Sequence, residues 1–194
     1  MPSKVPTRDR MVVSAALLIR ERGARATSID DVLRHSHAPR GSVYHHFPGG
    51  RDQLLREATE YAGSYIAGRI EAGAEAGPLA LFDALVDAYR QQLREGDYRA
   101  GCPVAAVAIE ARADGDDTLQ QAAADAFDRW LALLAAQLAG AGIERERAER
   151  LAALAVAGIE GGLILAQARR DLEPLDAATA EIRNLIEAAL AEAA

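Results

Sequence analysis

Apolar residues return at helical spacing along most of this chain. Phe82, Leu85, Val86, Tyr89 and Leu93 stand at i, i+3, i+4, i+7 and i+11, which gathers them on one face of a helix. Phe127, Trp130, Leu131, Leu134 and Leu138 repeat the pattern, as do Ile182, Leu185, Ile186 and Ala189. Runs of Val, Ile, Thr and aromatic residues that would alternate as strands are missing. Half of the 194 residues are apolar but only 5% are aromatic, and Ala and Leu, the best helix formers, dominate. The pattern predicts an all-α fold.

Glycine, proline and short polar clusters divide the chain into about nine helices. Thr7 is placed to cap a first helix ending near Arg22, with Gly23 as its stop. Thr27 or Ser28 caps a short second helix to about His35. A third starts at Pro39 and runs to about His46, followed by the turn Phe47-Pro48-Gly49-Gly50. A long helix runs from Asp52 towards Gly77, and another begins at Pro78 and breaks at Gly96 to Gly101. A short apolar helix runs from Pro103 through Ile109, before a polar loop from Ala113 to Asp117. The last three run from Thr118 to Gly140, from Glu144 to Arg170, and from Pro174 or Asp176 onwards. Residues 1–50 read as one domain and 51–194 as a second.

Charge separates the same two regions. The net charge is -7, but residues 1–56 hold ten Lys/Arg against five Asp/Glu, leaving twelve against twenty-four in the remainder. A basic head on an acidic body suits an anionic partner for the head alone. Cys102 is the single cysteine, so an intrachain disulfide is impossible and a reducing cytoplasm fits. The run Val12 to Ile19 is too short for a signal peptide. No apolar stretch is expected to reach the roughly 20 residues that span a bilayer. A soluble cytoplasmic protein without a membrane partner is expected.

Residues 27–47 read TSIDDVLRHSHAPRGSVYHHF. Two short helices around a tight turn have the layout of a helix-turn-helix, whose second helix enters the major groove. Arg40 near the start of that helix can reach a phosphate or a guanine edge. Gly41 and Ser42 are small enough for close approach, and the Ser42 and Tyr44 hydroxyls can bond phosphate. Thr27, Ser28, His45, His46 and Arg51 complete the candidate DNA-binding set. Phe47 reads as core. Adjacent His45 and His46 point apart on a helix and no Cys or acidic cluster joins them, so no metal is expected.

From Arg10 through Leu55 the chain resembles the DNA-binding domain of TetR-family regulators. Ala15, Gly23, Thr27, Ile29, Val32, Gly41, Ser42, Val43, Tyr44, Phe47 and Leu54 carry the resemblance, GSVYHHF most distinctively. HHFPGGRDQLL, AGCPVAAVAIEA and IEGGLILAQARRD resemble the LmrA/YxaF-type branch. His37 stands where a turn glycine is more usual, and Gly49, Gly50 and Arg51 where many members carry Ser-Lys-Glu or similar.

The resemblance implies a homodimer, joined by the last two helices of each copy as a four-helix bundle. Gly158, Gly161 and Gly162 interrupt a good helix former, and close helix approach would compensate. Gly158, Gly162, Leu165, Ile182, Leu185 and Ile186 are the candidate dimer contacts. Phe82, Val86, Tyr89, Val104, Val107, Ala108, Phe127, Trp130, Leu131 and Leu134 are candidate linings of an effector pocket. Gln167, Tyr89 and Glu110 could orient a ligand there. The implied effectors are small aromatic or hydrophobic compounds.

The resulting expectation is a repressor on double-stranded operator DNA, released by a small-molecule effector. No cofactor is expected. An enzyme is disfavoured, because no nucleophile with a base, phosphate-cradling loop or paired carboxylate motif is recognisable. A DNA-binding regulator or architectural protein without ligand sensing is the alternative.

Overall fold

The computed structural model describes residues 5–114 and 117–193. They form nine α-helices: α1 (Thr7–Arg22), α2 (Ile29–Ser36), α3 (Ser42–His46), α4 (Gly50–Gly73), α5 (Pro78–Glu95), α6 (Pro103–Asp114), α7 (Asp117–Gly140), α8 (Arg145–Arg169) and α9 (Glu173–Ala193). No strand occurs among the described residues. The expected loop from Ala113 to Asp117 lies partly outside them; Ala113, Asp114 and Asp117 are helical.

Several boundaries differ from the expected ones for local reasons. α1 is preceded by Pro6 with no side-chain cap, so Thr7 opens the helix without capping it. The third helix starts three residues later than Pro39. The Ser42 amide and hydroxyl both donate to the Pro39 carbonyl, at 3.0 and 2.6 Å, which closes a turn before the helix begins. α4 begins at Gly50 and ends in a 3-10 turn, Ala74–Ala76.

The helices gather into two compact units. One comprises Met1–Ser64 with Cys102–Ala126, the other Tyr65–Gly101 with Phe127–Ala194. The boundary expected at residue 50 falls on the first residue of α4, which starts in the first unit and ends in the second.

In the first unit, Met11, Ile19, Val32, Val43, Phe47, Leu54 and Leu55 are fully buried. Phe47 is thus core, and the Arg8 guanidinium lies 5.2 Å from its ring centroid while pairing with Glu57 of α4. Arg10 joins α1 to the end of α2 by donating to the Ser36 carbonyl.

In the second unit, α8 packs along α9. A Cβ on Gly162 would meet Leu175 Cδ1 at 2.8 Å and its Cα at 3.0 Å, and one on Gly158 would overlap Ile182 Cδ1. These glycines serve packing within the chain. Ile182 and Ile186 are buried there too. Ion pairs Arg183–Asp83 and Arg90–Asp176 fasten α9 to α5.

By length and composition α8 is apolar enough to cross a membrane, contrary to the sequence expectation; 39% of the residues in its most apolar window are buried. That window contains Glu160, and one face of the helix packs on α9.

Candidate functional site

The helix-turn-helix opens on a capped helix, α2. Ser28 caps α2: its hydroxyl accepts the Asp31 amide, and the Asp31 carboxylate accepts the Ser28 amide and hydroxyl. This reciprocal box satisfies amides that a helix start otherwise leaves open. The Ser28 hydrogen bond, joined by Arg22 and Arg34, holds the Asp31 carboxyl below its usual range. α2 ends on His37 with φ 53° and ψ 35°, the left-handed conformation that usually favours glycine. Its amide donates to the Leu33 carbonyl, so the helix-ending turn forms with a histidine in place.

The candidate DNA contacts separate into two groups. Arg40, Gly41, Tyr44 and His45 are exposed, and Ser42 and His46 are half-buried on the same turn and helix. Tyr44 is 70% exposed, so its side chain stands largely in solvent. A Cβ at Gly41 would touch nothing within 4 Å, so the surface is open to close approach. Arg40 makes no hydrogen bond or ion pair among the described residues. It lies in the turn before α3, ahead of the helix expected to carry it.

Thr27 and Arg51 are engaged inside the protein. Thr27 is fully buried, and its hydroxyl donates to the Gly23 carbonyl at 2.8 Å. Arg51 donates to the carbonyls of Thr27, Ala24 and Arg25. Both shape the connection between α1 and α2, although the sequence places them among the candidate DNA contacts. Ser28 remains exposed, with its hydroxyl in the capping box.

Among the candidate pocket residues, Phe82, Val86, Tyr89 and Trp130 are buried in the second unit, with Phe127, Leu131 and Leu134 half-buried. The Phe127 and Trp130 rings meet edge-on at 5.2 Å. Val104 and Val107, buried, and Ala108, half-buried, belong to α6 in the first unit. Gln167 donates to the Arg99 carbonyl at 3.1 Å and so holds the connection between α5 and α6.

Of the candidate dimer contacts, only Leu165 and Leu185 face outwards, at 54% and 43% exposed. Leu154 and Ile164 are exposed with them, and Gly161 has open space where a Cβ would be. The sequence reading missed Leu154 and Ile164. The spacing of Leu154, Gly161 and Leu165, at i, i+7 and i+11, was the available signal.

Residues 12–58 match the family model described as bacterial regulatory proteins, tetR family. Residues 78–181 match the LmrA/YxaF-like transcriptional regulator C-terminal domain. An HTH-type transcriptional regulator of Mycobacterium tuberculosis is 56% identical over 190 residues, covering 95% of this chain and 96% of its own. LmrA of Bacillus subtilis is 29% identical over 171 residues, covering 87% and 90%. A TetR transcriptional regulator from Chloroflexus aurantiacus has a similar structure, with a TM-score of 0.76 and 28% identity over 93% of this chain and 94% of that one. The helix-turn-helix, the all-helical architecture and these matches agree: the chain belongs to the TetR family of bacterial transcriptional regulators, in its LmrA/YxaF-like branch.

Proposed function

We propose that this regulator is a cytoplasmic homodimeric repressor that reads operator DNA through the turn and helix around Arg40 to His46 and leaves it on binding a small aromatic or hydrophobic effector. The carrying observation is the exposed combination of Arg40, Gly41 and Tyr44 following a helix, α2, whose start is held by its own capping box. An open cationic and hydroxyl-bearing surface with no steric obstacle suits phosphate and major-groove contact. Two such heads in one dimer would read half-sites roughly 34–36 Å apart.

The exposed stripe of Leu154, Ile164, Leu165 and Leu185 supports pairing of α8 and α9 with a second copy. Phe82, Val86, Tyr89 and Trp130 are buried and Phe127 half-buried, so an effector of matching apolar chemistry would enter by parting this cluster. An effector that favours one arrangement of the heads lowers DNA affinity, and operator DNA lowers effector affinity by the same factor.

The test is binding to the DNA upstream of the protein's own coding region, comparing wild type with Arg40→Ala combined with Tyr44→Phe over a range of salt. Loss of two phosphate contacts per head should weaken binding by at least about tenfold and flatten its salt dependence. Specific binding that the double variant leaves intact would remove these residues from the interface. Release by no compound in a screen of planar aromatics would favour a regulator without ligand sensing.

A further inference from the structure

The connection between α1 and α2, residues 23–28, is held from two sides. From α4, Arg51 donates through Nε to the Thr27 carbonyl at 3.0 Å and through Nη2 to the carbonyls of Ala24, at 2.5 Å, and Arg25, at 3.3 Å. From α6, Glu110 accepts the Arg25 backbone amide on Oε2 at 2.8 Å. Its other carboxylate oxygen lies where a Cβ on residue 23 would be, and residue 23 is a glycine with φ 85°. Gly23 is thus required twice, by its backbone angle and by the carboxylate packed against it. A guanidinium takes the carbonyls and a carboxylate takes an amide, so the segment is gripped by complementary groups.

Glu110 is three residues beyond the buried Val107 on α6, and α6 packs against α1 within the first unit. A shift or rotation of α6 therefore reaches the segment that leads directly into the Ser28 cap of α2. We infer that Glu110 is a positioning residue for DNA binding: it touches no DNA, and its hydrogen bond to the Arg25 amide fixes the helix-turn-helix relative to α6. The inference rests on the DNA-binding reading above. It adds the side chain through which displacement of α6 would be felt by the head.

Geometry also supplies a local readout. Arg25, Arg51 and Glu110 all line a cavity of about 580 Å³ with Ala24, Leu55 and Leu119. Water can reach the Arg25 amide from this side once the carboxylate is gone. Hydrogen exchange at that amide, followed by NMR, reports the latch directly.

The experiment compares the full-length wild type with Glu110→Ala and Glu110→Gln. The glutamine keeps the shape and one acceptor oxygen without the charge. Arg25 amide exchange should accelerate by about tenfold or more in Glu110→Ala and by less in Glu110→Gln, because a hydrogen bond to a charged group is the stronger kind. Affinity for the wild type's selected DNA site should fall in the same order, by about tenfold for the alanine. The salt dependence should keep its wild-type slope, since no phosphate contact is removed. A folded Glu110→Ala protein with unchanged Arg25 exchange, or with DNA affinity within about twofold of wild type, would overturn the inference. A changed salt slope would do so too, by placing Glu110's effect on the contacts themselves. If Glu110→Ala does not fold, the ordered effects in Glu110→Gln decide by the same criteria. A wild type that selects no DNA site fails the functional reading first, before any variant is made, and this inference falls with it.

Discussion

The turn around Arg40 to His46 and the outer face of α8 are both left uncovered by the chain, but their chemistry is opposite. The first exposes a guanidinium, the Tyr44 side chain, the His45 imidazole and an open glycine, after a helix whose start is capped at Ser28. The second exposes Leu154, Ile164 and Leu165, and α9 exposes Leu185. Water solvates the first set well, so its conspicuous feature is the large Tyr44 ring left outside. It solvates the second poorly, and burying such a stripe returns roughly 25 cal/mol for each Å² covered. The polar surface is therefore suited to a polar polymer met intermittently, and the apolar one to a partner held continuously. A second copy supplies the same stripe without requiring another protein.

A charge in the apolar stripe gives the largest expected effect. Leu165→Asp would put an unpaired carboxylate into the proposed interface of each copy, and should weaken association on the order of a thousandfold. Sedimentation would show a monomer at concentrations where wild type is a dimer. Because Leu165 is half exposed in the single chain, the monomer's own stability should move by no more than about 0.5 kcal/mol. An undiminished dimer would mean that the copies meet elsewhere.

Neighbouring glycines sharpen the inner and outer faces. Gly162→Ala brings a Cβ to 3.0 Å from the Leu175 Cα, a backbone atom that cannot swing away. It should cost roughly 2 kcal/mol in overpacking. Gly161→Ala meets nothing within 4 Å and should gain up to about 1 kcal/mol in helix propensity. Urea unfolding of both, made in the monomeric Leu165→Asp background, separates folding from association. Equal effects of the two substitutions would refute the assignment of faces.

These contrasts also explain what could be read from the chain alone. Helical periodicity placed the longer helices such as α5 and α9, because each buries a stripe set by spacing, while the short α3 was placed by its proline and turn residues and buries only Val43. The motif from Thr27 to Phe47 revealed the helix-turn-helix because its turn and cap chemistry is local. Periodicity alone cannot say which of two flanking stripes on α8 is turned inward. Gly158 and Gly162 were expected at a partner, but Ile182 and Leu175 of the same chain fill the space beside them. Thr27 and Arg51 were expected among the DNA contacts for a similar reason. A hydroxyl and a guanidinium suit an anion, but equally suit the carbonyls at Gly23, Ala24 and Thr27, which only the folded connection brings near. Glu110 is 85 residues from Arg25, and no local pattern announces that contact.

Within the head, His37 offers a smaller effect. Its left-handed conformation costs about 1–2 kcal/mol for a residue with a side chain, while glycine there adds roughly 0.4–1 kcal/mol of unfolded-state entropy. His37→Gly should therefore stabilise the protein by about 0.5 kcal/mol, measurable as a shift of the urea midpoint. A loss of stability would show that the imidazole contributes more than the turn's strain removes.

The Asp31 cap gives the smallest effect and the one most local to the reading head. Its carboxyl is held below the ordinary value of 3.8, first by the Ser28 hydroxyl and then by the Ser28 amide, Arg22 and Arg34. A group whose pKa is lower folded than unfolded stabilises the protein above its unfolded value and loses that contribution as pH falls through the folded one. The contribution is therefore present at neutral pH and disappears below 3.8, on approach to the folded value. Asp31→Asn keeps an acceptor but does not titrate in this range, so its stability should not carry this component. Urea unfolding of wild type and variant between about pH 5 and pH 2 should show the wild type's advantage shrinking as acid is added. Parallel curves across that window would mean that the box holds α2 equally well when protonated, and that the two arginines at Asp31 are solvated neighbours with no part in the cap.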